Sequence, residues 1–282
     1  MDLPFDRRAK RHQRDRAAPG IAEHDFLLRL AAEWLGERVA EDGRRFERVL
    51  LLGGGSPLRE AITPHADHVI QADSSARMAP DVVADEEFVP FAREAFDLVI
   101  SSLVLHWVND LPGALIQIAR TLKPDGLFLA AMFGGETLRE LRAAFLEGES
   151  EVRGGASPHI SPFVDVRDAG MLLQRAGFRD SVADVDTVTV TYADPVALMR
   201  ELRGMGEASA LTARGKGFLP RISMMATVAA YREEFGGDEG RIPATFQIVT
   251  LTGRAPDPAT ALAAERRREA APPLRLHPDK ST

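Results

Sequence analysis

Three consecutive glycines, Gly53, Gly54 and Gly55, end the apolar run at residues 49–52 and precede Ser56, Pro57 and a helical pattern. Glycines permit positive φ and close approach of a ligand to the backbone, and the first amides of a helix point at whatever lies there. Asp73 follows 18–20 residues later. That is the distance at which a doubly wound sheet brings a carboxylate to a ribose diol. Ser74 stands beside it. Asp85 and Glu86 fall in ADEEF (84–88), at the end of a short apolar stretch. An acid there serves either an adenine amino group or the next turn as a cap. Ser101 and Ser102 end another apolar run, and His106 and Trp107 follow closely. The set describes a seat for a nucleoside-bearing ligand with a titratable ring and an aromatic wall next to it.

The identity of the ligand turns on what the glycine turn lacks. A dinucleotide fingerprint needs a glycine where Leu58 stands, and its absence disfavours a pyrophosphate. No Gly-Lys-Ser or Gly-Lys-Thr follows, so the turn is not a P-loop. A phosphate-free ligand with an adenosine end and an amino-acid end fits better, which describes S-adenosylmethionine. Methyl transfer needs in-line positioning more than acid–base help. His106 is a general base, a substrate-orienting group or a surface histidine. Trp107 walls the cleft or packs the following helix. His159, in GGASPHISPF (154–163), belongs to a lid over the acceptor or to a plain connector. No metal site is expected: there is no cysteine, and His65 and His68 flank the second strand at its far end.

These residues need a scaffold of alternating strands and helices. Helical spacing runs over 24–41, with Gly43 as its stop. Strands are expected at 48–52, 68–73, 81–85, 96–105 and 127–133. Helices are expected at 57–66 and 110–126, the latter closed by Lys-Pro-Asp-Gly. This alternation implies parallel crossovers and an α/β, doubly wound sheet. A helix at 165–176, a strand at 181–192, helices near 194–204 and 220–235, and a last strand at 243–253 complete the chain. The expected organisation is a basic segment (1–23), one domain (24–253) with helical lid insertions at about 134–164 and 194–240, and a tail (254–282) whose five prolines predict disorder.

The chain has 282 residues, 45% of them hydrophobic and 27% charged, with a formal charge of −7. The composition is that of a soluble globular protein, and the acidic balance argues against nucleic acid as partner. No apolar stretch is long enough to span a bilayer. The N-terminal region carries positive charge without an apolar core behind it, and it holds Asp2, Asp6 and Asp15. It reads as neither secretory signal nor transit segment, so the cytoplasm is the expected location. RRAKRHQRDR (7–16) carries six cations, read as a solvated face or as a docking strip for an acidic partner.

The strings LLLGGG, IQAD, ADEEFVPF, FDLVISSLVLHWVNDLPGAL and TLKPDGLFLAAMFGG resemble a class I S-adenosylmethionine-dependent methyltransferase. FDRRAKRHQRDRAA, SPHISPF, AGMLLQRAGF, GMGE and IPATFQI extend the likeness over about residues 5–252. They resemble the branch of the mitochondrial complex I assembly factor that hydroxylates an arginine of an iron–sulfur subunit. The biotin-pathway methyltransferase that esterifies a malonyl carrier protein is a wider relative. The resemblance implies a seven-stranded Rossmann-like sheet with an antiparallel last strand. It implies that Gly53 and Gly55 approach the amino-acid end of the cofactor, Asp73 the ribose and Asp85 the adenine. Ser101 to Trp107 would then line the cleft. The protein substrate it implies is a complex I iron–sulfur subunit. Two departures stand out. Leu51 replaces the acid two residues before the first glycine, and Pro57 replaces a later glycine. Both place S-adenosylmethionine binding in question. Methylation, hydroxylation and a non-catalytic assembly chaperone all remain open at this point.

Overall fold

The computed structural model describes residues 3–163, 165–215, 217, 219–237 and 240–256. The expected tail therefore lies outside the described residues from 257 onward. The elements are α1 (Arg7–Ala17), α2 (Phe26–Asp42), β1 (Phe46–Gly53), α3 (Gly55–Ile62), β2 (Ala66–Asp73), β3 (Val82–Val83), β4 (Phe96–Ser102), α4 (Leu111–Thr121), β5 (Leu122–Phe133), α5 (Arg139–Arg153), α6 (Val166–Ala176), β6 (Arg179–Tyr192), α7 (Pro195–Gly204), α8 (Arg221–Phe235) and β7 (Ile242–Arg254).

The seven strands form one sheet in the order β3-β2-β1-β4-β5-β7-β6. The first five are parallel, and β7 runs antiparallel to both its neighbours. Period-two alternation sorts each central strand onto two faces. Val49, Leu51, Leu98, Ile100, Leu129 and Ala131 face one core, shared with α2, α3, α5 and α8. Leu50, Leu52, Val99, Phe128, Ala130 and Met132 face the other, shared with α4 and α6. Burial on both faces is why these strands read as continuous apolar runs.

Several boundaries differ from the sequence reading, three of them for a plain local reason. The third strand is two residues, not five, because it pairs only Ala72 and Asp73 at the sheet edge. The helix expected over 110–126 ends at Thr121. There the chain joins the sheet at Phe96↔Leu122, and the register shifts before Leu98↔Leu127. The helix expected from 57 begins at Gly55, which places Pro57 in its first turn, where a missing N–H costs no helical bond. Between β5 and α6, α5 packs on α8, which itself lies between β6 and β7. No described helix is long and apolar enough to cross a membrane.

Candidate functional site

The site lies where the sheet order reverses, at the carboxyl ends of β1 and β4, the usual ligand position in such sheets. Gly53, Gly54 and Gly55 have φ of 71°, 75° and 59°, a run that side-chain-bearing residues rarely adopt. A Cβ at Gly53 would lie 2.4 Å from Val104, and one at Gly54 would lie 2.6 Å from Leu58. At Gly55 the nearest atom would be Pro57 at 3.7 Å, so the turn opens on that side. Leu51 is fully buried in the apolar core and contributes no polar contact.

The turn is held instead by a residue that sequence reasoning missed. Gln71 donates through Nε2 to Gly53 O at 2.9 Å and to Gly55 O at 2.8 Å. Its own Oε1 accepts from Arg59 Nε at 3.1 Å, and its backbone N–H donates to Asp81 at 2.7 Å. A polar residue following the apolar Val69 and Ile70, near the glycine-turn end of the second strand, was the available signal. Gln71→Leu is expected to leave two turn carbonyls without a donor. The cost should be about 2–3 kcal/mol of stability, measured by urea denaturation, with a parallel loss of ligand affinity at the turn.

Around the turn stand the acids, and each is met by a cation of α1. Asp73 is buried and accepts from Arg14 through both oxygens, the Nε contact being 3.1 Å, and from the Ser75 N–H at 2.8 Å. Burial alone would lower the Arg14 pKa, but Asp73 outweighs it and raises it. Asp85 accepts from Arg7 at 2.6 Å and from the Glu87 N–H at 2.9 Å, so it caps the following turn. Glu86 is buried and also pairs with Arg7; burial pushes its carboxyl upward against that cation. Ser74 lines a groove of about 380 Å³ with Asp85 and, from α1, Arg8 and Arg11. Ser101 and Ser102 are fully buried, and their Oγ atoms have no hydrogen-bond partner among the described residues.

His106 and Trp107 form the other half of the site. Trp107 is buried and donates through Nε1 to Glu207 at 2.7 Å. Lys10 Nζ sits 4.3 Å above its ring, and Phe5 meets it edge-on at 5.4 Å. Lys10 also pairs with Glu207 Oε1 at 2.8 Å and donates to Gly206 O at 2.7 Å. Gly206, at φ 75°, lets this backbone close against α1: an added Cβ would lie 3.3 Å from Ala17. Burial pulls the Lys10 pKa down to about 8. Burial would raise Glu207, but Lys10 and His106 outweigh it and hold it at about 2.

His106 is buried, not on the surface. Its Nδ1 accepts from the Phe133 N–H at 3.4 Å, and its Nε2 lies 3.2 Å from Glu207. Burial holds its pKa below the usual histidine range. A neutral ring in this setting carries its proton on Nε2 toward Glu207 and has no lone pair free to act as base. Trp107 packs beneath α1 and does not wall an open cleft. His159 is placed elsewhere: it stacks on Phe145 at 4.1 Å and lies 3.1 Å from Glu149, both on α5. The loop instead sends Phe163 to the His106 ring, centroids 5.5 Å apart.

The basic run is thus neither a solvated strip nor wholly free for a partner. Lys10 and Arg14 are buried because their counter-charges lie beneath them. The signal was their spacing: Arg7, Lys10 and Arg14 share one helix face. His65 and Asp67 stand in H-x-D spacing, but at the start of β2, the opposite end of that strand from Asp73. Among the described residues no three metal-ligating side chains gather. The open side of Gly55, the unpartnered serine hydroxyls and the remaining lone pair on Asp73 Oδ2 fit a polar nucleoside-bearing ligand; Oδ1 already accepts from both Arg14 and the Ser75 N–H. The Arg14 pair narrows that fit.

The family described as Methyltransferase domain matches residues 51–130. The mitochondrial arginine-hydroxylase NDUFAF5 of Danio rerio is 42% identical over 276 residues, covering 93% of this chain and 86% of that one. The malonyl-[acyl-carrier protein] O-methyltransferase of Halorhodospira halophila is 34% identical over 261 residues, covering 87% and 86%. Among solved structures, phosphoethanolamine N-methyltransferase 2 of Haemonchus contortus, in complex with S-adenosyl-L-methionine, matches with a TM-score of 0.51 and 17% identity. That match covers 88% of this chain and 60% of that one, and it speaks to the fold alone.

Proposed function

The chain belongs to the S-adenosylmethionine-dependent methyltransferase superfamily, in the family that includes the arginine-hydroxylase NDUFAF5 proteins, and from that membership we propose that it is an enzyme acting on a protein arginine. The acceptor in this reading is an iron–sulfur subunit of complex I, and the outcome is hydroxylation. For that, dioxygen and two electrons must come from outside the chain, one oxygen entering the C–H bond and the other leaving as water; a sulfonium methyl group supplies no oxygen. The observation that supports this acceptor over a carrier-bound carboxylate is the likeness itself, stronger to the arginine-hydroxylase (42% identity over 93% of this chain) than to the malonyl-carrier O-methyltransferase (34% over 87%).

S-adenosylmethionine would be held by Gly53, Gly54, Gly55, Asp73, Ser74, Asp85, Glu86, Ser101 and Ser102, and it supplies a sulfonium-activated methyl group when bound. The chain's own residues exclude water, orient the acceptor and hold the His106 proton toward Glu207. The pairing of Arg14 with Asp73 favours one second reading, a complex I assembly chaperone that has lost cofactor use. Intact-mass analysis of the iron–sulfur subunit, from cells with and without this gene, separates the readings. A gain of one oxygen supports hydroxylation, and a gain of one methylene supports methylation. An unchanged mass, together with calorimetric silence toward S-adenosylmethionine at millimolar concentration, leaves the chaperone.

A further inference from the structure

A second hollow, also of about 380 Å³, opens between α1 with the turn that follows it and α7. Arg16 comes from one wall, and Arg200 and Arg203 come from the other. Among the described residues, none of these three guanidinium groups has a hydrogen-bond or ion-pair partner. This contrasts with Arg7 and Arg14 on the same helix, each of which is met by an acid. Glu201, which shares α7 with two of the arginines, is engaged by His24 Nδ1 at 2.8 Å. Between the arginines the lining is low: Ala17, Gly20 and Ala208.

We propose that this hollow seats an acidic peptide segment of a protein partner, its carboxylates on Arg16, Arg200 and Arg203. Three uncompensated cations facing one space, in a chain of net charge −7, mark a local reversal of sign that selects an anionic ligand. The space is far larger than a single carboxylate or phosphate fills. Guanidinium forks on two opposed walls suit carboxylates spread along a chain. The small residues between them leave room for an extended backbone. Ala208, in the lining, is the residue after Glu207, so a segment held here enters beside the buried Glu207 cluster. The inference rests on the reading that the acceptor is a protein.

The test uses the full chain and fluorescein-labelled acetyl-hexaglutamate, with acetyl-hexaglutamine as the neutral control, read by anisotropy at low salt. Hexaglutamate is expected to bind and hexaglutamine is not. Affinity should fall roughly tenfold in Arg200→Ser/Arg203→Ser and fall again as salt is raised. Both arginines are exposed, so the melting midpoint should stay at the wild-type value. No binding of hexaglutamate, equal binding by the double variant, or equal binding of hexaglutamine overturns the proposal. So does full displacement by inorganic phosphate at the peptide's own concentration, which would reveal a simple anion hole. Peptide binding is read without cofactor or turnover. A negative intact-mass result with peptide binding preserved would therefore fault the enzymatic reading and leave this one standing.

Discussion

Asp73→Ala is expected to abolish S-adenosylmethionine binding and to cost about 3–5 kcal/mol of folding stability. The two losses have separate causes. The first follows from the position of Asp73 at the end of β2, where a carboxylate meets a ribose diol. The second follows from Arg14, whose buried guanidinium would lose its counter-charge and two acceptors. A buried pair is weak evidence for net stabilisation, but breaking it from one side strands a charge. Arg14→Leu/Asp73→Leu is accordingly expected to recover most of the stability while binding no cofactor. Urea unfolding of the wild type, the single variant and the double variant, with calorimetry on each, separates the effects. If Asp73→Ala melts like the wild type, the buried pair is not formed in solution. If it still binds the cofactor, the ribose assignment fails.

Glu207→Gln should be comparably disruptive, at about 3–5 kcal/mol, because it leaves Lys10 buried without its counter-charge. It also carries a pH signature. The Glu207 pKa is depressed to about 2 from 4.5, so the folded state binds its proton less readily than the unfolded chain. Its stabilising contribution is fully present above pH 4.5 and is lost as pH falls toward 2. The shift corresponds to roughly 3 kcal/mol. The wild type should lose that amount across this window in excess of the variant, read as the difference between their stability–pH curves. Parallel curves would show that Glu207 is not the carboxylate that titrates there.

Much of the site was legible because its determinants are local. The glycine turn reads from three adjacent residues, and Asp73 reads from its distance along the chain. The central strands read from continuous apolar runs, since both faces of the sheet are covered. What failed was long-range. Nothing near Arg14 announces that its partner is 59 residues away, and nothing near Lys10 announces a partner at a separation of 197. A charge run is ordinarily solvated, and only the spacing of three cations on one helix face hinted otherwise. His106 misled for the same reason. Its lone pair is taken by the Phe133 N–H and its proton faces Glu207, both brought in by tertiary packing. His159 was drawn to the cleft by its motif, but stacking on Phe145 holds it at α5.

The dependence of α1 on Asp73, Asp85 and Glu207 sets an order of events during vectorial synthesis. This helix, made before all of its partners, must wait for residues 207 and 209 before its last anchors exist. Until then its cations stay hydrated, and the cleft beneath it remains open to solvent. Docking of this early segment onto a much later one thus closes the cleft, while the sheet itself waits for β7, made later still, to enter between β5 and β6.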